Sequence, residues 1–166
     1  VGMPYEFNRG IDTEDMSHLI AYMRSVPPID TNYPDPSYGP IMRIMHVTGL
    51  FPFVTAEHVD MDLPPPAPVA SDDVLAQGEY LSMFCTACHG SDFAGHPIIG
   101  GPNITPAGIG SWTENEFGTT ITTGVLPDGT TLDPELMPYE TLAEYTDEEL
   151  HAIWEYLQTV PSVAID

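Results

Sequence analysis

The sequence predicts an all-α fold of short helices joined by long loops. Three observations carry this. Apolar residues recur at helical spacing in four segments, and the helix starts carry recognisable caps. No segment reads as a convincing strand. Eighteen prolines and 14 glycines in 166 residues assign much of the chain to loops. At ~100–200 residues per domain, this length allows one ordinary domain plus extensions.

The first helix is predicted over residues 12–26. Asp12 is its N-cap, and Met16, Leu19, Ile20, Met23 and Val26 share one face. Residues 27–40 are rich in Pro, Asp and Tyr and read as a loop. Residues 41–59 are apolar, interrupted by Gly49 and Pro52, and form an arm. The arm either packs over the main domain or meets a membrane or partner. Residues 62–71, DLPPPAPVAS, are a stiff extended linker. A second helix spans 72–88, with Val74, Leu81, Phe84 and Cys88 at helical spacing. A short third helix, 114–123, opens with a Thr113–Glu116 capping box and closes at Gly124. Its TTITT run has strand propensity, but the box favours a helix. The last helix, 147–160, has a second box at Thr146 and Glu149. Its apolar stripe is Leu150, Ile153, Trp154 and Leu157.

Charge removes whole classes of function. The chain has 25 acidic side chains and three basic ones, a formal charge of −22. The three are Arg9, Arg24 and Arg43, and lysine is absent. Nucleic acid and anionic membrane surfaces are therefore poor partners, because almost nothing can replace their counterions. Disorder does not follow from the acidity: 42% of residues are hydrophobic, enough for a core. No stretch reaches the ~18 apolar residues of a membrane-spanning helix. The sequence opens on Val1 without a signal peptide, which we read as a processed or partial chain.

An internal repeat links the two ends. At a gapless offset of 134, Met3-Pro4-Tyr5-Glu6 matches Met137-Pro138-Tyr139-Glu140. Glu14, Tyr22, Val26 and Pro27 match Glu148, Tyr156, Val160 and Pro161, giving eight identities in 25 positions. Met16, Leu19 and Met23 fall on Leu150, Ile153 and Leu157, so the apolar stripes are in register. Residues 1–27 therefore read as the tail of an incomplete preceding domain. Residues 28–71 are a connector, and 72–166 are the main domain.

Cys85 and Cys88 are the only cysteines, which excludes a disulfide framework. They stand in Cys85-Thr86-Ala87-Cys88-His89, the C-x-x-C-H spacing of c-type haem attachment. One helical turn separates the sulfurs, so both can form thioethers to one porphyrin, and His89 follows as proximal iron ligand. A zinc site would need four ligands, and no second cysteine pair exists. A thioredoxin-like pair would need a βαβ context. An electron carrier also needs a sixth ligand. Met137 fits best: it lies 48 residues beyond His89 in a Pro-rich loop, Pro138 follows it, and the repeat preserves Met-Pro-Tyr-Glu. Met83, on the attachment helix, reads as core, Met61 as a linker contact residue and His96 as exposed. Met3 aligns with Met137, but this chain lacks a second C-x-x-C-H. One haem is expected, with Met3 unliganded.

With these residues in place, the sequence resembles the cytochrome c domains of bacterial periplasmic electron-transfer proteins, including multihaem subunits of membrane dehydrogenases. The resemblance runs over 72–161 through CTACHG, GGPNITP (100–106), GIGSWTENEF (108–117), TGVLPDGTTL (123–132), MPYETLAEYTDEEL (137–150) and WEYLQTVP (154–161). Residues 39–60 resemble the connector that follows a first haem domain. The resemblance implies a small cytochrome c fold: about three core helices and long loops around one covalent haem c with its iron, plus an N-terminal helical extension. It implies that Gly78 lets the attachment helix cross the last helix closely, against Trp154 or its neighbours. It implies that the Pro102 carbonyl accepts from His89, and it makes Asn103, Thr105 and Trp112 candidates for the haem propionates. Tyr139 is expected beside Met137 or on a propionate.

The function expected is one-electron transfer through a His89/Met137-ligated haem, as a carrier or as a subunit of a respiratory or dehydrogenase chain. A haem enzyme with an open or displaceable distal site, peroxidase-like, is the alternative. Partners are expected to be redox proteins, a larger membrane-associated complex or a second cytochrome domain. The location implied is periplasmic or extracytoplasmic, with any membrane attachment made through a partner.

Overall fold

The computed structural model describes residues 5–31, 37, 39–48, 60, 62–96 and 100–164. Met3, Met61 and the second half of the apolar arm, 49–59, lie outside the described residues. The chain divides into two compact units, Val1–Pro68 and Val69–Asp166. All three arginines belong to the first unit. The second holds sixteen Asp and Glu and no Lys or Arg.

The first unit contains α1 (Tyr5–Gly10), α2 (Thr13–Ser25) and α3 (Pro40–Val47). Asp12 caps α2 as its sequence demands: one carboxylate oxygen accepts from the backbone of Glu14 at 2.7 Å and Asp15 at 2.9 Å. Two of the otherwise orphaned amides are thereby satisfied. Arg9 donates to the carbonyls of Asp60 and Leu63 and ties the linker back to α1. The start of the arm is helical. Gly39 precedes it and Pro40 takes the first helical position, where a missing N–H costs nothing. Neither α2 nor α3 buries a residue.

The second unit contains α4 (Val74–Ser82), a 3₁₀ turn (Met83–Cys85), α5 (Thr86–His89), α6 (Pro106–Ile109), α7 (Glu114–Thr123), α8 (Tyr139–Leu142) and α9 (Asp147–Thr159). Among the described residues there is one isolated bridge, Val125 with Thr131, and no strand. The helix expected over 72–88 is thus three elements. The Thr86 hydroxyl donates to the Met83 carbonyl at 2.6 Å, competing for the acceptor an α-helix would use, and the chain tightens there. Both capping boxes are present in full at Thr113–Glu116 and Thr146–Glu149.

The core is Phe93, Ile109, Phe117, Ile153, Trp154 and Leu157. Phe117 and Trp154 pack with ring centroids 5.4 Å apart, joining α7 to α9. Leu157 is 1% exposed, and burial of such a side chain contributes ~1.5–3 kcal/mol. Helices α4 and α9 cross at Gly78. A Cβ there would overlap the Ala152 carbonyl oxygen and stand 2.6 Å from Tyr156 Cβ. The helix partners at this crossing are therefore Ala152 and Tyr156, neighbours of Trp154. The backbones meet there without a side chain between them. No helix among the described residues is long and apolar enough to cross a membrane.

Candidate haem attachment site

The short helix α5 carries Cys88 and His89, and the 3₁₀ turn before it ends on Cys85. Both cysteines are half-buried free thiols. Burial pushes the Cys85 thiol up to about 11; its own backbone hydrogen bond opposes this, and Cys88 adds to it. Cys85 is therefore a neutral thiol at neutral pH.

After His89 the chain doubles back. Gly95 N donates to the His89 carbonyl at 2.8 Å, and Ile104 N donates to the Phe93 carbonyl at 2.8 Å. The return brings Gly101 against the motif: a Cβ at 101 would overlap the Cys88 carbonyl. This close approach delivers Pro102. His89 Nδ1 donates to the Pro102 carbonyl at 2.7 Å, since a carbonyl oxygen can only accept. Burial lowers the His89 pKa below its ordinary 6.5, and the Pro102 bond opposes that shift. The result is a buried neutral imidazole with its tautomer fixed and Nε2 left to coordinate.

Asn103 and Thr105 are engaged by the chain itself. Asn103 Oδ1 accepts from Thr105 N at 2.8 Å and from Thr105 Oγ1 at 2.7 Å. Asn103 Nδ2 donates to the Val163 carbonyl at 2.8 Å. Thr105 Oγ1 accepts from Val163 N at 3.3 Å and Ala107 N at 3.4 Å, and the residue is fully buried. These bonds strap the C-terminal tail onto the loop that presents Pro102. Trp112 is half-buried and packs on the core. Met137 and Tyr139 are held by a different set of bonds. Met137 N donates to the Asp133 carbonyl at 2.9 Å, and Tyr139 N to the Met137 carbonyl at 2.8 Å. The Tyr139 ring lies on Gly124, where a Cβ would overlap it. His96 is half-buried in the returning loop, where its amide donates to the Gly101 carbonyl at 3.1 Å.

Three contributors carry little or no signal in the sequence. Gly101 is visible only as half of a Gly-Gly pair before proline. Tyr145, which packs with Cys85 against the core, is one aromatic among many. Val163 acts through its backbone alone. The donor set fits a covalently attached haem: two thiols one turn apart, and a neutral imidazole oriented by a carbonyl.

Comparison with known proteins agrees. A family model described as cytochrome c matches residues 75–161. The gluconate 2-dehydrogenase cytochrome c subunit of Pantoea cypripedii is 36% identical over 104 residues, covering 52% of this chain and 23% of that protein. The fructose dehydrogenase cytochrome subunit of Gluconobacter japonicus is 34% identical over 102 residues, covering 51% and 21%. The alcohol dehydrogenase (quinone) cytochrome c subunit of Gluconacetobacter polyoxogenes is 34% identical over 105 residues, covering 54% and 22%. The matched region thus spans less than a quarter of each of these relatives. With its fold, its attachment motif and more than half of its length matched, the chain belongs to the cytochrome c family and is an electron-transfer protein carrying covalently bound haem c with its iron.

Proposed function

We propose that Cys85 and Cys88 hold the haem as thioethers, that His89 Nε2 is the proximal ligand and that Met137 is the distal one. When bound, the haem supplies a one-electron iron couple. Everything else is the work of the chain's own residues. Pro102 keeps the His89 proton on Nδ1 and raises the basicity of Nε2. Asn103 and Thr105 fix the backbone that holds Pro102 in place, and with Trp112 they are the side chains for the propionate edge, Tyr139 standing beside Met137 or on a propionate. The neutral thioether of Met137 favours ferrous iron relative to a second imidazole. The observation that carries the reading is the 2.7 Å bond from His89 to Pro102, beside two free thiols one turn apart.

The relatives are named as cytochrome subunits of gluconate 2-dehydrogenase, fructose dehydrogenase and alcohol dehydrogenase. We infer that this chain likewise passes electrons from a dehydrogenase to a redox protein, outside the cytoplasm. A surface of sixteen carboxylates with no lysine suits a cationic redox partner.

Denaturing mass spectrometry of the holo protein tests the attachment. The haem mass should stay on the peptide that contains Cys85 and Cys88, and haem extractable into acidified organic solvent would refute it. Met137→Ala should abolish the near-infrared sulfur-to-iron band and admit carbon monoxide to the ferrous protein. An unchanged spectrum would move the distal role to another residue.

A further inference from the structure

One residue of the C-terminal tail, Val163, is bound through both of its main-chain groups. Its carbonyl accepts from Asn103 Nδ2 at 2.8 Å, and its amide donates to Thr105 Oγ1 at 3.3 Å. Thr105 Oγ1 in turn donates to Asn103 Oδ1 at 2.7 Å, which closes a ring of hydrogen bonds through the three residues. The Thr105 hydroxyl is saturated: its one hydrogen goes to Asn103, and its two lone pairs take Val163 N and Ala107 N. Thr105 is 0% exposed, so the ring is closed away from solvent, where such bonds support one another.

The ring bears on the peptide unit that orients His89. The Pro102 carbonyl belongs to the planar peptide between Pro102 and Asn103, so fixing Asn103 fixes the direction of that carbonyl. Asn103 is gripped at two points. Its carboxamide is held in the ring, and its own carbonyl lies against Gly108, where a Cβ would overlap it. Only the first grip depends on the tail. His89 Nδ1 donates to the Pro102 carbonyl at 2.7 Å, and the strength of that bond sets how strongly Nε2 donates.

We propose that Val163 is a positioning residue for the proximal ligand, and that its tail is a redox-linked latch. The inference rests on His89 as the iron ligand. A docked tail holds the Pro102 carbonyl on Nδ1, makes the imidazole the stronger donor and favours ferric iron. A released tail lets the carbonyl turn, weakens the donor and favours ferrous iron. Linkage makes the effect reciprocal: what docking does to the potential, reduction does to docking. Couplings between two sites start at about fivefold, which is about 40 mV at about 59 mV per tenfold for one electron. A redox partner that draws the tail off the loop therefore makes the protein a stronger oxidant.

Hydrogen exchange of the unmodified holo protein reads the latch from the tail. The Val163 amide should exchange about fivefold faster in the ferrous than in the ferric form. The amides of Ile153 and Leu157 in α9 should not share that gain. Equal rates at Val163, a slower ferrous rate there, or the same gain in α9 overturns the proposal.

Potentiometry reads the latch from the iron. Val163→Pro removes the amide donor and should raise the midpoint potential by about 40 mV, the same fivefold coupling. Val163→Ala keeps both main-chain bonds and should stay at the wild-type value. Gly101→Ala moves Pro102 without touching the tail, and so separates the latch from the ligation on which it rests. A potential that moves with Gly101→Ala but not with Val163→Pro overturns the latch and leaves His89 in its role. A potential that moves with neither overturns both.

Discussion

Gly78 and Ala152 meet backbone to backbone: the space a Cβ at 78 would occupy is already taken by the Ala152 carbonyl oxygen. The contact sets the distance between α4 and α9, and with it the position of the turn that ends on Cys85. The obstruction is main chain, which cannot rotate aside. Gly78→Ala should therefore destabilise the holo protein by about 1–3 kcal/mol, the usual range for overpacking. Thermal melts should show a fall of ~4–8 °C per kcal/mol for a unit of this size. An unchanged melting temperature would mean that the helices can part at no cost.

Gly101→Ala addresses the proposed proximal ligand, His89, more directly. The new methyl would overlap the Cys88 carbonyl and push the loop that carries Pro102 away from His89. Losing the Nδ1 hydrogen bond makes the imidazole a weaker donor, which favours ferrous iron. The midpoint potential should rise, and the protein should lose about 1–3 kcal/mol of stability. A stability loss with no change in potential would show that the hydrogen bond survives.

The equivalent positions 153 and 19 should answer truncation differently. Ile153 is 3% exposed, and Ile153→Ala should cost about 2–5 kcal/mol through transfer and cavity terms. Leu19 is exposed in the first unit, so Leu19→Ala should cost less than about 1 kcal/mol in this 166-residue chain. Denaturant titrations followed at the haem band and in the far ultraviolet compare the two.

Acidification should loosen the start of α7. Thr113 holds the Glu116 carboxyl below its ordinary 4.5, first through its backbone N–H at 2.7 Å and then through its hydroxyl. A carboxyl depressed in the folded state stabilises fully above the unfolded value. That stability is lost as pH falls through the lower, folded one. Wild type should therefore exceed Glu116→Gln in stability at neutral pH, with the difference closing below about pH 4.5. A difference that does not vary with pH would assign the effect to packing.

Long, capped helices were legible from sequence, and one-turn elements were not. Asp12, Thr113 and Thr146 mark their helices because each side chain satisfies amides that otherwise have no partner. Helices α1, α6 and α8 span four to six residues, too short to show an apolar period. Helix α3 escaped because Gly39 supplies no side-chain cap and the apolar run continues past its end. The break at Met83–Cys85 depends on a hydroxyl choosing a local carbonyl, which periodicity does not register. At the site, Cys85, Cys88 and His89 announce themselves by spacing. Val163 cannot: its contribution is a carbonyl and an amide placed by the tail.

The segregation of charge between the two units has a consequence for redox poise. Reduction adds a negative charge to a unit that already holds sixteen carboxylates and no fixed cation. Their summed field opposes the incoming electron and pulls the midpoint potential downward. Carboxylates at a solvated surface act through water and are screened over ~10 Å at 0.1 M ionic strength. Added salt should thus release the opposition and raise the potential, making the driving force for electron delivery a function of the medium. A cytochrome of this kind would be a weaker oxidant in dilute solution and a stronger one in brine, with no change in its ligands.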